Sequence, residues 1–139
     1  MKTSILVDTN VFIDVLGPPT AFLEWSIRQL VRLKPDSTLV LSPIVWAELA
    51  GMRGGEAELT SLLARFDLLR EALPFPAAYQ AGLAHRFYRG RGGLRERTLP
   101  DFLIGAHADH AGHQLLTRDG ARYASDFPGL RLITPETHP

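Results

Sequence analysis

The sequence predicts a single α/β domain built around a mainly parallel β-sheet. Short apolar segments alternate with longer amphipathic ones, and this alternation is typical of βαβ units. The chain has 139 residues, of which 45% are apolar and 22% are charged, and we expect one globular domain that spans residues 1–139. In such folds the working site lies beyond the carboxyl ends of the strands, so the polar residues at those ends are the first candidates for function.

The strands are predicted where short apolar runs end at turn-forming residues. The first run ends at Asp8, the second at Pro43, and the third before Asp119-Gly120. Uninterrupted apolar runs of this length are typical of strands that are buried on both faces of a parallel sheet. The predicted strands cover residues 4–7, 38–42, 114–117 and 130–134, with a fifth near residues 70–75.

The segments between the strands have the apolar spacing of helices. Gly54-Gly55 separates two of them, while Pro100 and Gly112 mark the start and the end of another. With the strands they predict right-handed crossovers and helices on both faces of the sheet. The predicted helices cover residues 21–33, 44–52, 56–66, 77–88 and 101–111.

The composition excludes several classes of protein. The chain has no cysteine, which excludes disulfides, cysteine-bound zinc and thiol catalysis. Fifteen basic and fifteen acidic residues cancel, so a globally basic nucleic-acid binder is excluded, although local basic patches are not. The chain has no apolar run of transmembrane length and no recognisable signal peptide, so we expect a cytoplasmic protein without a membrane partner.

Four acidic residues lie at or just beyond predicted strand ends, or in the first turns of the helices that follow. Singly, each has an ordinary structural explanation. Asp8 and Asp119 suit turns, and Asp8 also suits a helix cap. Asp101 suits the first turn of a helix, where the helix dipole favours negative charge, and Glu48 suits a solvent-facing position. As a set they predict a site, because parallel strands bring their carboxyl ends to one edge of a sheet.

The clustering of these acids predicts a metal site. Neighbouring carboxylates raise one another's pKa values, so such a group persists only where a cation neutralises it. The four acids include neither histidine nor cysteine, and an all-oxygen ligand set favours Mg²⁺ or Mn²⁺ over zinc. Mg²⁺ keeps several of its waters and suits chemistry on phosphate esters.

Four sequence motifs surround these acids in order. They are residues 5–14 (ILVDTNVFID), 42–49 (SPIVWAEL), 99–108 (LPDFLIGAHA) and 115–119 (LLTRD). Together they resemble the motifs of PIN domains, and most closely those of VapC-type toxin ribonucleases, over essentially the whole chain. The resemblance implies a PIN-like three-layer α/β/α sandwich with a mainly parallel five-stranded sheet. It also implies a Mg²⁺- or Mn²⁺-dependent endoribonuclease that cleaves RNA phosphodiester bonds with metal-activated water.

The resemblance also implies roles for individual residues. The catalytic acids would be Asp8, Glu48, Asp101 and Asp119. We expect Asp8 and Asp101 to bind the metal directly, and the other two acids to bind it through water. Polar residues beside these acids would position carboxylates or metal-bound water: Thr9, Asn10 and Thr117. Many family members have a further acid followed by Phe after the fourth motif, where this chain has Arg122-Tyr123, and this departure calls a second metal into question.

A segment rich in Arg and Gly precedes the third motif. Arginine pairs with phosphate, and aromatic rings stack on unpaired bases, so we favour RNA contact by this segment. The alternative is a solvated loop with Phe87 and Tyr88 in the core. The candidate RNA-binding residues are Arg86, Arg89, Arg91 and Arg95, together with Arg118 of the fourth motif.

The resemblance implies three partners. They are an RNA substrate, a VapB-like antitoxin that blocks the acidic pocket, and a second copy of the chain in a homodimer. Trp25, Trp46 or exposed Leu side chains are candidates for the antitoxin surface, although the helix that carries Trp25 is more simply explained as core.

Three other functions are alternatives. A haloacid-dehalogenase-type phosphatase needs a second Asp two residues after the first, and Asn10 stands at that position. A zinc hydrolase would use histidines, and His107, His110 and His113 lie close together in the sequence with Asp109. His107 and His110 continue the helix that begins in the third motif, and we expect these helical histidines to face solvent. The strongest alternative is a catalytically silent PIN domain that serves as an RNA- or protein-binding scaffold. Such domains usually lose acids that this chain keeps.

Overall fold

The protein folds around one sheet of five parallel strands in a computed structural model that describes residues 2–93 and 96–139. The strands are β1 (Thr3–Val7), β2 (Ser37–Leu41), β3 (Leu69–Arg70), β4 (Gln114–Leu116) and β5 (Leu132–Ile133). Their order across the sheet is β3-β2-β1-β4-β5, and every neighbouring pair is parallel. The predicted parallel five-stranded sheet is confirmed.

Seven α-helices flank the sheet in the described part of the chain. They are α1 (Thr9–Leu16), α2 (Leu23–Leu33), α3 (Pro43–Leu49), α4 (Glu56–Leu63), α5 (Phe75–Gly90), α6 (Leu99–Ala111) and α7 (Ala121–Ala124). Helix α5 packs along α6, and α1 packs against both α2 and α3. Helices around a parallel sheet are the arrangement that the predicted PIN-like sandwich requires. None of these helices is long and apolar enough to cross a membrane.

The sheet interior consists of continuous apolar strands, as expected for strands covered on both faces. Leu6 and Val40, which are paired across β1 and β2, are both fully buried. Phe102 of α6 packs near the Phe127 ring, with the two centroids 6.3 Å apart. Gly105 makes this approach possible, because a Cβ at that position would lie only 2.5 Å from the Phe127 ring. The core thus fixes the height of α6 above the sheet.

The strand order places the end of β1 beside the end of β4. From β1 the chain builds outward through β2 and β3, and it then crosses to the other side of β1 for β4 and β5. The backbone amide of Asp8 donates to the carbonyl of Leu116 at 2.9 Å across this junction. Open α/β sheets bind ligands in the crevice at such a reversal of strand order. The topology therefore predicts that Asp8, which follows β1, and Thr117, which follows β4, lie at a ligand-binding crevice.

Several element boundaries differ from the sequence predictions. The strand expected near residues 70–75 is Leu69–Arg70, because Pro74 precedes a helix that begins at Phe75 and proline cannot extend a strand by donating a hydrogen bond. The last strand is Leu132–Ile133 instead of residues 130–134. Residues 9–16 form a helix that no predicted range covers, and the side chain of Asp8 caps its first turn.

Candidate active site

The four predicted acids lie around one network of hydrogen bonds and ion pairs at the carboxyl edge of the sheet. They are Asp8 after β1, Glu48 in α3, Asp101 in the first turn of α6 and Asp119 after β4. Three polar side chains connect them, namely Thr9, Thr117 and Arg122. The fold thus brings together residues that are far apart in the sequence.

Asp8 is the buried centre of this network, with only 2% of the residue exposed. Its Oδ2 accepts hydrogen bonds from the hydroxyls of Tyr123 and Thr117, both at 2.8 Å, and from the amide of Asn10 at 3.4 Å. Its Oδ1 accepts the backbone amide of Thr9 at 2.7 Å, so the same side chain caps α1. Burial raises the pKa of Asp8 above its ordinary value, although the bonds from Tyr123, Thr117 and Thr9 act in the opposite direction. The carboxylate is held in place, but its negative charge is incompletely compensated.

Glu48 joins the site through the first residue of α1. The hydroxyl of Thr9 donates to Glu48 Oε1 at 2.6 Å, while the backbone amide of Thr9 donates to Asp8. Helix α3 is oriented by Ser42, whose side chain caps it by accepting the amide of Ile44 at 3.1 Å. One threonine therefore positions two carboxylates that come from different elements.

Asp101 has both the structural contact expected of an acid in a first turn and a contact within the site. Its Oδ2 accepts the backbone amide of Thr98 at 3.0 Å, while the side chain of Thr98 accepts the backbone amide of Asp101, and these two bonds form a capping box at the start of α6. The hydroxyl of Thr98 also lies 3.3 Å from Oδ2 of Asp101. Its Oδ1 lies 3.3 Å from Nη1 of Arg122. The capping box thus leaves one oxygen of Asp101 directed towards the other acids.

Arg122 is a cation inside the acidic cluster. Its Nη1 contacts Asp101 at 3.3 Å, and its Nη2 contacts Asp119 at 3.1 Å. Burial acts to lower the pKa of Arg122, but the charges of Asp101 and Asp119 outweigh it and raise the pKa above its ordinary value. Arg122 therefore neutralises the Asp101–Asp119 side of the site. Neither Asp8 nor Glu48 forms an ion pair with any residue that the structure describes.

Thr117, Asn10 and Tyr123 hold β1 and β4 together around Asp8. The Asn10 side chain donates to Thr117 Oγ1 at 3.1 Å, and this oxygen also accepts the backbone amide of Asp119 at 3.1 Å. Burial, together with the charge of Asp8, raises the pKa of Tyr123 well above its ordinary value, so its hydroxyl stays a proton donor. Sequence reasoning missed Tyr123 and Arg122 as members of the site, because they appeared only as a departure from the family pattern.

The donor atoms of this site suit a hard divalent cation. All are oxygens of carboxylates, hydroxyls and an amide, and the incompletely compensated charge of Asp8 is one that a cation would balance. Among the described residues, no three of the acids bring carboxylate oxygens within 4.8 Å of one another. A bound ion would therefore draw the carboxylates inward or contact some of them through water.

Comparison with known families decides the assignment. The profile of the PIN domain family matches residues 5–126. The chain belongs to the PIN domain family. The family resemblance drawn from the four motifs is confirmed, and the motifs lie within the matched segment. Comparison with curated protein sequences gave no match.

Several solved structures share the fold of this PIN domain. VapBC2 from Rickettsia felis, solved with a DNA fragment from its promoter, is 20% identical over 95% of this chain and 98% of its own, with a TM-score of 0.71. FitAcB from Neisseria gonorrhoeae is 26% identical over 95% and 98% of the two chains, with a TM-score of 0.65. A toxin–antitoxin complex from Klebsiella pneumoniae is 23% identical over 94% and 97%, with a TM-score of 0.67.

The arginine-rich segment of this PIN domain is partly held by an acid. Arg91 and Arg97 both pair with Asp126, at 2.7 and 2.6 Å, and each guanidinium lies 5.4 Å from the centre of the Tyr88 ring. Tyr88 is buried, whereas Phe87 is 70% exposed, so the alternative that placed both rings in the core is correct only for Tyr88. Arg91 is thus less available to RNA than the sequence suggested.

The other candidate RNA-binding arginines differ in their surroundings. Arg86 and Arg89 are exposed on α5 and form no ion pair with any described residue. Arg118 lies 3.3 Å from the fully buried carboxylate of Asp14, which holds it in place beside α1. Arg95 lies outside the described residues.

The two helical histidines do not both face solvent, contrary to the prediction. His107 is fully buried and His113 nearly so, and only His110 is exposed. The Nε2 atoms of the two buried rings lie 2.8 and 2.7 Å from Oε1 of Glu71. The prediction failed because α6 is covered on most sides by the rest of the protein, so its polar residues do not mark a solvent face.

Four of the eight large apolar side chains that are exposed among the described residues lie on α5, and neither tryptophan is one of the eight. Trp25 is buried, and its indole donates to the carbonyl of His138 at 2.7 Å. Trp46 is half-buried, and its indole donates to Glu56 at 2.9 Å. Four large side chains at steps of four residues, each between 53% and 90% exposed, form what we call the α5 stripe: Phe75, Tyr79, Leu83 and Phe87.

Proposed function

We propose that this PIN domain is a Mg²⁺- or Mn²⁺-dependent endoribonuclease and the toxin of a VapBC-type toxin–antitoxin pair. The single observation that carries the proposal is the convergence of the four acids on one network at the edge of the sheet. The likeness to solved VapBC and other toxin–antitoxin complexes supports the toxin role. Its place of action would be the cytoplasm, where RNA is available.

The residues around Asp8 are arranged to hold a cation and its water. We propose that Asp8 and Asp101 would contact the ion directly, and Glu48 and Asp119 through water. When bound, a divalent ion lowers the pKa of a coordinated water and orients it for in-line attack on phosphorus. The hydrogen bonds to Asp8 from neighbouring side chains and from the α1 amide keep its carboxylate from rotating, which fixes the direction of attack.

Arg122 would supply the positive charge that a second metal gives in two-metal nucleases. A guanidinium has five N–H donors, and the contacts with Asp101 and Asp119 leave others for a phosphate oxygen. As negative charge grows on the phosphate during the attack, Arg122 would stabilise it. The products would be a 5′-phosphate and a 3′-hydroxyl, as the family resemblance implies.

Metal-dependent cleavage of a structured RNA tests this function. We expect the purified protein to cleave with Mg²⁺ or Mn²⁺, to stop with EDTA, and to lose activity by about 10²-fold or more in the Asp101→Asn variant. Asp109→Asn is the matched control, since Asp109 lies on the same helix but contacts Gln80 and not the acidic network. RNA binding without cleavage by the wild-type protein would contradict the proposal and favour the silent scaffold.

The exposed arginines of α5 are expected to guide RNA to the acids. Replacing Arg86 and Arg89 together with Ala should weaken RNA binding and reduce the slope of log affinity against log salt by about 1.4, or about 0.7 for each lost phosphate contact with a single strand. Arg28→Ala, at an exposed position of α2, controls for the loss of one positive charge. A salt slope equal to that of the wild type would show that these residues do not contact phosphate.

We propose that the α5 stripe pairs with the same stripe of a second copy of the chain. It runs roughly 18 Å along the helix, and aligned apolar side chains form a self-complementary seam when two such helices pack together. Tyr79→Ser with Leu83→Ser should therefore convert a dimer to a monomer in analytical ultracentrifugation, whereas Val31→Ser, at an exposed apolar position of α2, should not. A dimer that persists would refute this pairing, and loss of antitoxin binding instead would assign the stripe to the VapB-like partner.

A further inference from the structure

We propose that Glu71, His107 and His113 form a second metal site, which takes a borderline divalent ion such as Zn²⁺ and lies apart from the acidic network. Two imidazole nitrogens and one carboxylate make up its ligand set. The proposal does not depend on the ribonuclease function, because none of these residues contacts the four acids through any hydrogen bond or ion pair of the described residues.

The three ligands converge from different parts of the chain. Glu71 follows β3, His107 lies in α6, and His113 directly precedes β4. One ligand atom of each lies within 4.8 Å of the other two, and both Nε2 atoms are 2.7–2.8 Å from the same oxygen of Glu71. Zinc binds nitrogen and oxygen at about 2.0–2.2 Å, so a small outward movement of Glu71 would admit the ion between these atoms. Two histidines and one glutamate are also a recurrent zinc ligand set with a fourth position left for water.

The two histidine ligands are buried, whereas the glutamate ligand is partly exposed. The side chains of His107 and His113 are 0% and 7% exposed, whereas that of Glu71 is 30% exposed. The carboxylate of Glu71 reaches the surface in front of the two imidazoles, so an ion can enter past Glu71.

The two imidazole rings can exchange their hydrogen bonds to Glu71 for bonds to a metal ion if their ring protons move. Without an ion, each Nε2 must carry a proton to donate to Glu71, and Nδ1 of His113 forms a hydrogen bond with the hydroxyl of Ser4 at 2.6 Å. Metal binding requires bare Nε2 atoms, so in each neutral ring the proton moves to Nδ1, and His113 then donates to Ser4. Such an outer hydrogen bond is usual for histidines that bind metals. Nδ1 of His107 is buried without a hydrogen-bond partner among the described residues.

Nitrogen ligands distinguish this site from the acidic one. Imidazole suits Zn²⁺, Co²⁺ and Ni²⁺, whereas the all-oxygen set around Asp8 suits Mg²⁺ or Mn²⁺. A bound ion would fasten the segment after β3 to α6 and to the start of β4. It would thus strengthen the sheet at β3, an edge strand that is joined to β2 by only two residue pairs.

Titration of the metal-free protein with Co²⁺ tests the proposal. A four- or five-coordinate Co²⁺ with two imidazole ligands absorbs visible light far more strongly than Co²⁺ in a six-coordinate oxygen site. We expect strong absorption in the wild-type protein and in Asp8→Asn, and its displacement by one equivalent of Zn²⁺. The absorption should be lost in Glu71→Gln, which can still accept both hydrogen bonds, and should persist in His110→Ala, which alters an exposed histidine of the same helix.

The outcomes separate this site from the nuclease site. Equal absorption in the wild type and in Glu71→Gln, or none in the wild type, would overturn the proposal whether or not the protein cleaves RNA. Ser4→Ala provides a second test that leaves all three ligands in place. Its Co²⁺ affinity should fall by about 10–100-fold, as is usual when a hydrogen bond to a ligating histidine is lost. An unchanged affinity in Ser4→Ala would contradict the assigned role of His113.

Discussion

Replacement of Asp8 by Asn should abolish metal-dependent RNA cleavage, with a loss of about 10³-fold, and should leave the fold intact. The loss is expected because Asp8 is the one acid that is both buried and without a cationic partner in the described part of the chain. Asn is also a good helix cap, so α1 should still form. The hydroxyl of Tyr123, which donates to Asp8 in the wild type, can turn and accept a hydrogen bond from the new amide.

Although Asp8→Asn should lose activity, it should not lower the stability of the metal-free protein. Because burial raises the pKa of Asp8, the folded state of the metal-free protein takes up a proton more readily than the unfolded chain. The free energy of unfolding therefore falls as the pH rises from below the unfolded pKa to above the folded one, and it is at its lower level at neutral pH. Without metal, Asp8→Asn should thus unfold at the same temperature as the wild type or at a higher one, and the difference should disappear in acid.

Thermal unfolding with and without Mn²⁺ measures both effects. Mn²⁺ should stabilise the wild-type protein but not Asp8→Asn, because the ion binds only the folded state that carries the site. Asp36→Asn is a control for the loss of one negative charge at an exposed position. Cleavage of RNA at the wild-type rate by the Asp8→Asn protein would contradict the proposed mechanism.

Replacement of Arg122 by Ala should separate catalysis from metal binding. If Arg122 stabilises the charge that develops on phosphate, kcat should fall by about 10²–10³-fold, as is usual when one preorganised donor is removed. Mn²⁺ affinity should rise at the same time, by roughly thirtyfold, because a positive charge about 4 Å away opposes a divalent cation by about 2 kcal/mol in water-like surroundings. Arg122 is well placed for both effects, since it contacts Asp101 and Asp119.

Arg122→Lys is the matched variant. A lysine keeps the charge but cannot bridge two carboxylates with the planar fork of a guanidinium, so kcat should be intermediate while Mn²⁺ affinity stays near that of the wild type. Single-turnover cleavage and metal titration on the same samples would distinguish the two effects. An increase in cleavage in Arg122→Ala would show that Arg122 holds the site inactive, and the assigned role would be wrong.

The acids of the site were predictable, but their connections were not. Asp8 and Asp119 follow apolar runs that the sequence marks clearly as strands, and a parallel sheet must bring such ends to one edge. The sequence does not reveal which strand lies beside which, so the contacts of Thr117 with Asp8 depended on the order in which strands assemble. Arg122 could be recognised only as a departure from the family pattern. No local sequence pattern indicates that this arginine contacts the acidic residues.

Burial on several sides explains two differences from the sequence predictions: no predicted range covered α1, and the histidines of α6 were expected to face solvent. Helix α1 is short and almost entirely apolar or buried, so it lacks the alternation of polar and apolar faces that marks an amphipathic helix. The same holds for α6, where His107 points into the protein although its neighbours in the sequence suggested a solvent face. The spacing of apolar residues reveals a helix when one face contacts the protein and the other contacts water. These helices have only a small water-exposed face.

The hydrogen bonds of Thr117 and Tyr123 to Asp8 also bear on how the protein is made. Asp8 is synthesised before both partners, which follow it by 109 and 115 residues in the chain. A nascent polypeptide that has not yet added β4 and α7 lacks the groups that orient this carboxylate, and it also lacks Asp119 and Arg122. Under the proposed function, the order of translation would thus delay assembly of the acidic network until these late elements have been made.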